Sequence, residues 1–133
     1  ASRVADDERR ARALEAEGLD AFLAAWLAAP LFATLPAHAH GLAHRRRNTV
    51  AGLAHSLRTA GTGTQAPLWE HLAGIEIPVL CLAGELDPKF TEIGQRLAAA
   101  LPHGEFSRVP GAGHAAHAEQ PERVARLISA WLG

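Results

Sequence analysis

An acidic residue and a histidine, each placed shortly after a run of apolar residues, are the side chains in this sequence best suited to chemistry. Asp87 follows residues 79–83 and His114 follows residues 105–109, and each comes at the end of a turn that contains glycine. A carboxylate that accepts the Nδ1 proton of a histidine fixes its tautomer and leaves Nε2 free to act as a base. We therefore predict that Asp87 and His114 form a pair, rather than a surface acid and a loop histidine that never meet.

The elements that must bring these two residues together are predicted to be a strand, a helix and a second strand. Residues 79–83 are apolar and bounded by a proline and a glycine, which is typical of a strand buried on both faces. Residues 91–101 carry apolar side chains at the spacing of a helix with one buried stripe. The two strands of such a crossover end at the same edge of a parallel sheet, and this edge would hold both Asp87 and His114.

Composition and charge exclude several classes of protein. The chain has 133 residues, 48% of them hydrophobic, a formal charge of −1 and one cysteine. This length suits one domain with a usable core, and the charge argues against nucleic acid as a partner. The apolar runs are too short to span a membrane and the charged N-terminal segment is unlike a signal peptide, so we expect a soluble protein. The single cysteine, Cys81, lies mid-strand, which favours a reducing, cytoplasmic setting and an inert core thiol.

The rest of the chain is predicted to be helical. Helices are expected over residues 6–17, 19–28, 48–59, 67–72 and 121–132. The first carries acids near its start and little apolar surface, so we expect it to face solvent. The chain therefore divides into a helical segment, residues 1–73, and a β-α-β-α segment, residues 74–133. Two parallel strands make a poor independent sheet, which predicts that further strands belong to the complete fold.

A segment rich in histidine and arginine, residues 38–48, allows two functional interpretations. A metal site is disfavoured, because no helix face presents the histidines together and no cysteine or nearby acid completes a ligand set. The planar guanidinium groups of Arg45, Arg46 and Arg47 suit the recognition of a carboxylate. A solvated helix face is the alternative, and the spacing alone favours it over anion binding.

Residues 46–69 carry a pattern that resembles the MenH group of α/β-hydrolases. The pattern reads Arg-Arg-Asn-x-x-x-Gly-Leu-Ala-x-Ser-Leu-Arg-x-x-Gly-Thr-Gly-x-Gln-x-x-Leu-Trp. Three more segments are similar to the same group: residues 22–32, the turn at 84–90 and the turn at 111–117. The order of an acid and then a histidine, each beyond a parallel strand, also matches the last two members of the triad in α/β-hydrolases. The likeness covers nearly the whole chain.

This resemblance implies both a fold and a reaction. The fold would be the C-terminal portion of an α/β-hydrolase, with residues 1–73 as a helical cap segment and residues 74–133 as the last two parallel strands and their helices. The group consists of 2-succinyl-6-hydroxy-2,4-cyclohexadiene-1-carboxylate synthases of menaquinone biosynthesis. These lyases eliminate pyruvate from 2-succinyl-5-enolpyruvyl-6-hydroxy-3-cyclohexene-1-carboxylate, and the serine of a Ser-His-Asp triad takes a proton from the substrate.

The resemblance also implies roles for particular residues. His114 would be the base partner of the triad, and Asp87 would be the acid that orients it. Arg45 would bind substrate carboxylates, with the two following arginines left open by the register, and Trp26 would line the pocket. Lys89 is a further candidate for a carboxylate contact, or else a solvent-facing lysine at a helix start. Neither a metal nor a cofactor is expected, and the partner would be a small polycarboxylate substrate rather than a nucleic acid or a membrane.

One part of the family pattern is not encoded, namely the nucleophilic serine in a Gly-x-Ser-x-Gly elbow. The lyase interpretation therefore requires the N-terminal half of the same fold, with that serine, as a partner, and predicts that this chain alone is inactive. A generic esterase or acyl hydrolase on the same fold is one alternative. The other is an inactive fragment that acts only through association, by pairing its exposed sheet edge.

Overall fold

The computed structural model describes residues 2–133, which form two compact units. The first comprises the residues up to Ala29 together with His40–Pro67, and the second comprises Pro30–Ala39 together with Leu68–Gly133. Across the described range, none of the helices has both the length and the apolar composition that crossing a membrane requires. The predicted division into a cap segment and a core segment at residue 73 follows the family pattern and stays a prediction.

The first unit is helical. Its helices are α1 (Arg3–Glu17), α2 (Leu19–Leu27), α3 (Leu42–Arg45) and α4 (Val50–Thr59). α1 is capped by Ser2, whose hydroxyl accepts a hydrogen bond from the amide of Ala5, and it ends at Gly18, whose φ of 86° favours glycine. Thr49 caps α4 in the same way, by accepting from the amide of Gly52. The predicted helices of this unit are confirmed, with small shifts at their ends.

The prediction that α1 faces solvent is wrong. Ala11 and Leu14 are fully buried and Asp7 is 5% exposed, because this side of α1 packs against α4. Ala54 of α4 is buried in the same cluster, and the small side chains let the two helices approach closely. The apolar periodicity of the sequence does not reveal this buried face, because alanine occurs on both the buried and the exposed side of helices.

A cluster of charges joins α1 to the C-terminal end of α4. Arg58 donates Nε to Glu8 at 2.9 Å and both Nη groups to the Glu15 carboxylate at 2.6 and 2.8 Å. Glu8 also accepts from Arg12 at 2.7 Å. The hydrogen bonds from Arg58 and Arg12 lower the pKa of Glu8 to about 2, and the bond from Arg58 lowers the pKa of Glu15. Each acid of this cluster is therefore held by a guanidinium group.

The second unit contains a parallel sheet with its crossover helix. Its elements are β1 (Val79–Gly84), α5 (Pro88–Ala100), β2 (Gly104–Val109), α6 (Ala116–Glu119) and α7 (Pro121–Leu132). β1 and β2 pair in parallel and end level with each other, since Gly84 lies opposite Val109. The predicted strand, helix and strand are confirmed, and so is the final helix. Short 3₁₀ turns lie at Pro30–Phe32, Ala37–Ala39 and Trp69–Gly74, the last in place of the helix expected over residues 67–72.

The core of the second unit lies between the sheet and α5. Cys81, Ala98 and Leu101 are buried together. The partly buried residues packed around them are Leu72, Val79, Leu97 and Phe106. Gly104 is the first residue of β2, and a side chain at this position would collide with the carbonyl oxygen of Ala98. This close approach explains why the residue is glycine. Burial raises the pKa of the Cys81 thiol, so the thiol stays protonated at neutral pH, as an inert core cysteine should.

The sheet of the second unit has open edges and apolar surroundings. Within residues 2–133, β1 and β2 each pair only with the other. Large apolar side chains of this unit are also exposed, among them Leu68 (64%), Ile77 (68%), Leu86 (55%) and Leu132 (72%). Parallel sheets are normally covered on both faces, and large apolar side chains are normally buried. This is the surface expected of a portion of a larger parallel sheet.

Candidate active site

Asp87 and His114 lie side by side at the carboxyl edge of the sheet, as the sequence predicts. Oδ2 of Asp87 is 2.8 Å from Nδ1 of His114. Because an ionised carboxylate can only accept, Nδ1 carries the proton of this hydrogen bond, and in the neutral imidazole Nε2 is then left as an acceptor. Asp87 is 8% exposed and His114 is half-buried, so the acid is the more shielded partner. The predicted contact between the two side chains is confirmed.

The turn before α5 fixes the carboxylate of Asp87. Asp87 is the N-cap of α5, and its Oδ1 accepts a hydrogen bond from the amide of Phe90 at 3.1 Å. Pro88 follows at the start of the helix, where its ring favours helical geometry and no amide hydrogen is needed. One carboxylate oxygen therefore caps the helix while the other holds the imidazole, and the two bonds together fix the side-chain orientation.

The turn that carries His114 lies against the end of β1. The amide of Leu86 donates to the carbonyl of Ala112 at 2.8 Å. Gly84 has no side chain at the point of closest approach, because a Cβ there would overlap the carbonyl oxygens of Ala112 and Gly113. These contacts join the turn that carries the acid to the turn that carries the histidine.

Two glutamates that the sequence pattern does not single out hold the same turn. Glu85 accepts from the amide of Gly111 at 2.9 Å, where φ is 68°. Glu119 accepts from the amide of Gly113 at 2.8 Å and from the amide of Ala115 at 3.1 Å. A glutamate bonded to backbone amides leaves no periodic signal, so closeness to a glycine-rich turn in the sequence is the available clue.

Two phenylalanine rings pack against the imidazole of His114. The centroid of the Phe90 ring lies 4.6 Å from that of the imidazole at an interplanar angle of 62°, and that of Phe32 lies 6.1 Å away at 70°. Both are edge-on contacts, which aromatic rings prefer to a face-to-face sandwich. The two rings restrict the rotation of the imidazole and surround it with apolar surface.

Two small cavities open beside the pair. The first has a volume of about 170 Å³ and is bordered by Phe90, by Asp87 and by both His114 and His117. The second has a volume of about 140 Å³ and reaches Thr34 in addition to Asp87 and His114. His114 borders both cavities, so each offers space for a reacting group next to this residue.

Lys89 lies at the surface near this pair. Its Nζ is 5.6 Å from the centroid of the Phe90 ring, which in turn contacts His114. A cation over an aromatic face gains a modest electrostatic attraction. The Phe90 ring therefore contacts both the ammonium group of Lys89 and the imidazole of His114. A contact between Lys89 and a substrate stays a prediction.

Arg45 and Trp26, the two cap residues predicted to bind substrate, line one cavity of the first unit. This cavity has a volume of about 200 Å³. Nε of Arg45 donates to the carbonyl of His40 at 2.8 Å, which fixes the guanidinium group. Trp26 stacks on Phe22 with centroids 5.9 Å apart, and Cζ of Arg10 lies 5.2 Å from its ring. The cavity is lined by Phe22, Leu23, Trp26, Arg45, Asn48, Leu53, Ser56 and Leu57.

The other two arginines of this segment have different surroundings. Arg46 donates to Asp20 at 2.7 Å and its side chain is 56% exposed, and Arg47 is exposed. Of the three candidates, Arg45 is the one that borders the cavity. The predicted site residues thus fall into two groups, with Arg45 and Trp26 together in the first unit and Asp87 and His114 together in the second.

Comparison with known proteins identifies the class to which this fold belongs. The sequence pattern of the Alpha/beta hydrolase family matches residues 2–127, and the chain belongs to that family. The solved structure of MenH from S. aureus matches with a TM-score of 0.91 and 31% identity, over 98% of this chain and 51% of that one. A thermophilic esterase from Thermogutta terrifontis, solved with malate bound, matches with a TM-score of 0.73 and 24% identity, over 98% of this chain and 49% of the esterase. The esterase shows only that the fold is shared.

Curated relatives agree with the resemblance seen in the sequence. A candidate 2-succinyl-6-hydroxy-2,4-cyclohexadiene-1-carboxylate synthase of Bacillus subtilis (strain 168) is 38% identical over 98% of this chain and 49% of its own length. The synthase of the same name from Klebsiella pneumoniae is 35% identical over 96% of this chain and 50% of its own length. The chain therefore spans about half the length of these relatives. The resemblance to the MenH group and the α/β-hydrolase fold class are confirmed.

Proposed function

We propose that this chain supplies the histidine and the acid of a MenH-like carbon–oxygen lyase site. The reaction is the elimination of pyruvate from 2-succinyl-5-enolpyruvyl-6-hydroxy-3-cyclohexene-1-carboxylate, in menaquinone biosynthesis. The observation that carries this proposal is the hydrogen bond of 2.8 Å between Oδ2 of Asp87 and Nδ1 of His114. The similarity to relatives named as synthases of this type supports it.

The proposed chemistry follows from the direction of that hydrogen bond. With Nδ1 donating to Asp87, Nε2 of His114 is available to accept the proton of a serine hydroxyl, and the carboxylate stabilises the imidazolium that forms. The serine oxygen then takes a proton from a substrate carbon, and the electron pair left on that carbon forms a C=C bond as the C–O bond to the enolpyruvyl group breaks. The released enolate takes the proton held by the imidazolium and becomes pyruvate. The histidine needs no metal or cofactor for this proton transfer.

The serine of this site would come from a partner, namely the N-terminal half of the same fold. The serines of this chain are Ser2, Ser56, Ser107 and Ser129, and none stands in a Gly-x-Ser-x-Gly elbow. Without the serine and its oxyanion donors, the histidine has no nucleophile to activate. We therefore expect the chain alone to release no pyruvate.

Substrate carboxylates would be bound by the cap cavity that contains Arg45. Its Nε is engaged by a backbone carbonyl, which leaves the Nη groups to donate to a carboxylate in a fixed plane. Trp26 provides an apolar wall of the same cavity. Lys89 stays the proposed further contact, on the side of the second unit that carries His114.

The proposal is tested with a fused enzyme, in which the N-terminal half of the Klebsiella pneumoniae synthase precedes this chain. Pyruvate release is expected from the fused enzyme and not from the chain alone. Replacing His114 with alanine should abolish it. Replacing Arg45 with glutamine should raise KM by about tenfold or more, because a charged hydrogen bond is lost, and the matched change Arg46→Gln should leave KM unchanged.

Other outcomes of this assay would favour the alternatives. Hydrolysis of simple esters by a folded fused enzyme, without pyruvate release, would support an acyl hydrolase. A folded fused enzyme with neither activity would support a fragment that acts through association. Pyruvate release by the chain alone, purified free of any N-terminal half, would contradict the assignment of the serine to a partner.

A further inference from the structure

Glu119 holds the backbone on both sides of His114. Its Oε2 accepts from the amide of Gly113 at 2.8 Å, and its Oε1 accepts from the amide of Ala115 at 3.1 Å. One side chain of α6 therefore spans the residue that carries the imidazole. We propose that Glu119 is a positioning residue, which fixes the backbone of His114 so that Nδ1 reaches Asp87.

The two amides call for a carboxylate because both are donors. A carboxylate offers two acceptor oxygens and no donor, and hydrogen bonds to an ionised acceptor are stronger than those between neutral groups. Glutamine has the same shape but only one acceptor, so its own N–H₂ group would face one of the two amides. Glu119 is half-buried, which increases the cost of leaving a backbone amide unpaired.

Other contacts hold the N-terminal side of the turn. Glu85 accepts from the amide of Gly111, and Gly113 is buried where a side chain has no room. Glu119 holds the two amides that flank His114, and its own amide donates to the carbonyl of Ala115 at 3.0 Å. Removing the carboxylate of Glu119 therefore frees both amides that flank His114, while Glu85 still holds the turn at Gly111.

The consequence for catalysis rests on the proposed function, whereas the geometric claim is tested without substrate. Nuclear magnetic resonance of the ¹⁵N-labelled chain reports the Nδ1 proton of His114 and the exchange rates of the Gly113 and Ala115 amides. The variants are Glu119→Gln and Glu119→Ala. A failed lyase assay would leave these measurements standing, so the two proposals can fail separately.

The matched control is Glu122→Gln. Glu122 is a glutamate three residues further along the chain, at the start of α7. Its side chain is 89% exposed, and its carboxylate approaches Nη1 of Arg126 only to 3.9 Å. We expect this variant to reproduce the wild-type Nδ1 signal and both wild-type exchange rates. Any change seen with Glu119 variants alone then belongs to the bonds made by that carboxylate.

The expected results differ between the two Glu119 variants. Glu119→Gln should speed the exchange of one of the two amides by about tenfold or more, because one acceptor remains. Glu119→Ala should speed both, and the Nδ1 proton shared with Asp87 should broaden or disappear as the imidazole loses its fixed orientation. The exchange of amides within β2 should stay at its wild-type rate.

Two results would overturn the assignment. One is a Glu119→Ala chain that keeps the wild-type Nδ1 signal, which would mean that the histidine needs no help from this carboxylate. The other is faster exchange spread evenly over β2 and the turn in both variants, which would mean that Glu119 contributes to stability alone. If the alanine variant does not fold, the glutamine variant decides between these outcomes through the asymmetry of the two amides.

Discussion

The two units of this protein use their acidic residues in different ways. In the first, Glu8 and Glu15 are held by the guanidinium group of Arg58. In the second, Asp87 and Glu119 accept from backbone amides and from a histidine ring. An acid paired with an arginine joins two helices, whereas an acid bonded to amides fixes a turn and can orient a reactive side chain. The comparison separates charge that supports packing from charge that builds the candidate site.

The largest effect is expected from Asp87→Asn in the fused enzyme. The oxygen of asparagine can still cap α5, but its N–H₂ group would face Nδ1 of His114 and favour the wrong tautomer. We expect kcat for pyruvate release to fall by about 10⁴-fold, while the melting temperature changes little. Pyruvate assays and thermal unfolding of the same preparation check both parts.

Asp6→Asn is the matched control for this prediction. Asp6 lies in the first turn of α1 and pairs with Arg9 at the surface, so its loss should leave kcat unchanged. Wild-type kcat in the Asp87→Asn enzyme would mean that Asp87 does not orient the histidine. The acids of the second unit would then have no demonstrated role in catalysis.

A second large effect, on stability, is expected from Leu14→Ala in the first unit. Leu14 of α1 is fully buried where this helix packs against α4, so truncating its side chain removes apolar contacts and leaves a cavity. The free energy of unfolding should fall by about 2–5 kcal/mol. Denaturant unfolding measures this, with Val4→Ala as the control, because Val4 is 47% exposed. A loss no larger than that of the control would mean that the ion pairs, rather than the apolar contacts, hold these helices together.

The smallest effect is expected from Arg58→Gln and appears as a change in pH dependence. The folded-state pKa of Glu8 is about 2, below its ordinary value of 4.5, because Arg58 and Arg12 hydrogen-bond to its charged form. Its contribution to stability is therefore complete above pH 4.5 and is lost as the pH falls from 4.5 towards 2. Arg58→Gln should therefore lower the melting temperature slightly at neutral pH, and this difference from the wild type should shrink as the pH falls from 4.5 towards 2.

Arg126→Gln provides the comparison for that experiment. Arg126 approaches Glu122 only to 3.9 Å and both side chains are well exposed, so the melting curves should follow those of the wild type at every pH. If the melting temperature of Arg58→Gln also depends on pH as that of the wild type does, the ion pairs of Arg58 make no contribution to stability that protonation of Glu8 removes.

The parts of the fold that the sequence predicts are those with strong local patterns. β1 is bounded by a proline and a glycine, and α7 starts at Pro121 with a clear apolar stripe. The contact between Asp87 and His114 follows from the same patterns, because the strands of a crossover must end at one sheet edge. The helix after Asp87 begins earlier than predicted, since the acid itself caps it and Pro88 suits its first turn.

The features that the sequence does not predict depend on contacts without a periodic signal. The buried face of α1 is built partly from alanine, which a pattern search assigns to either side of a helix. Glu119 accepts from backbone amides, which every residue except proline has, so the types of the neighbouring residues do not reveal the bond. Phe32 reaches His114 from a distant part of the chain. Arg45 and Trp26 line the same cavity. The family resemblance predicts that both bind substrate, whereas their spacing in the sequence does not.

The double engagement of Asp87 links the order of the site to the melting of one helix end. Its Oδ1 caps α5 and its Oδ2 holds the imidazole, so both bonds depend on the same few torsion angles. When the first turn of α5 unwinds, the carboxylate turns away with it and His114 loses its partner. Fraying of this helix end therefore also removes the hydrogen bond that orients the histidine.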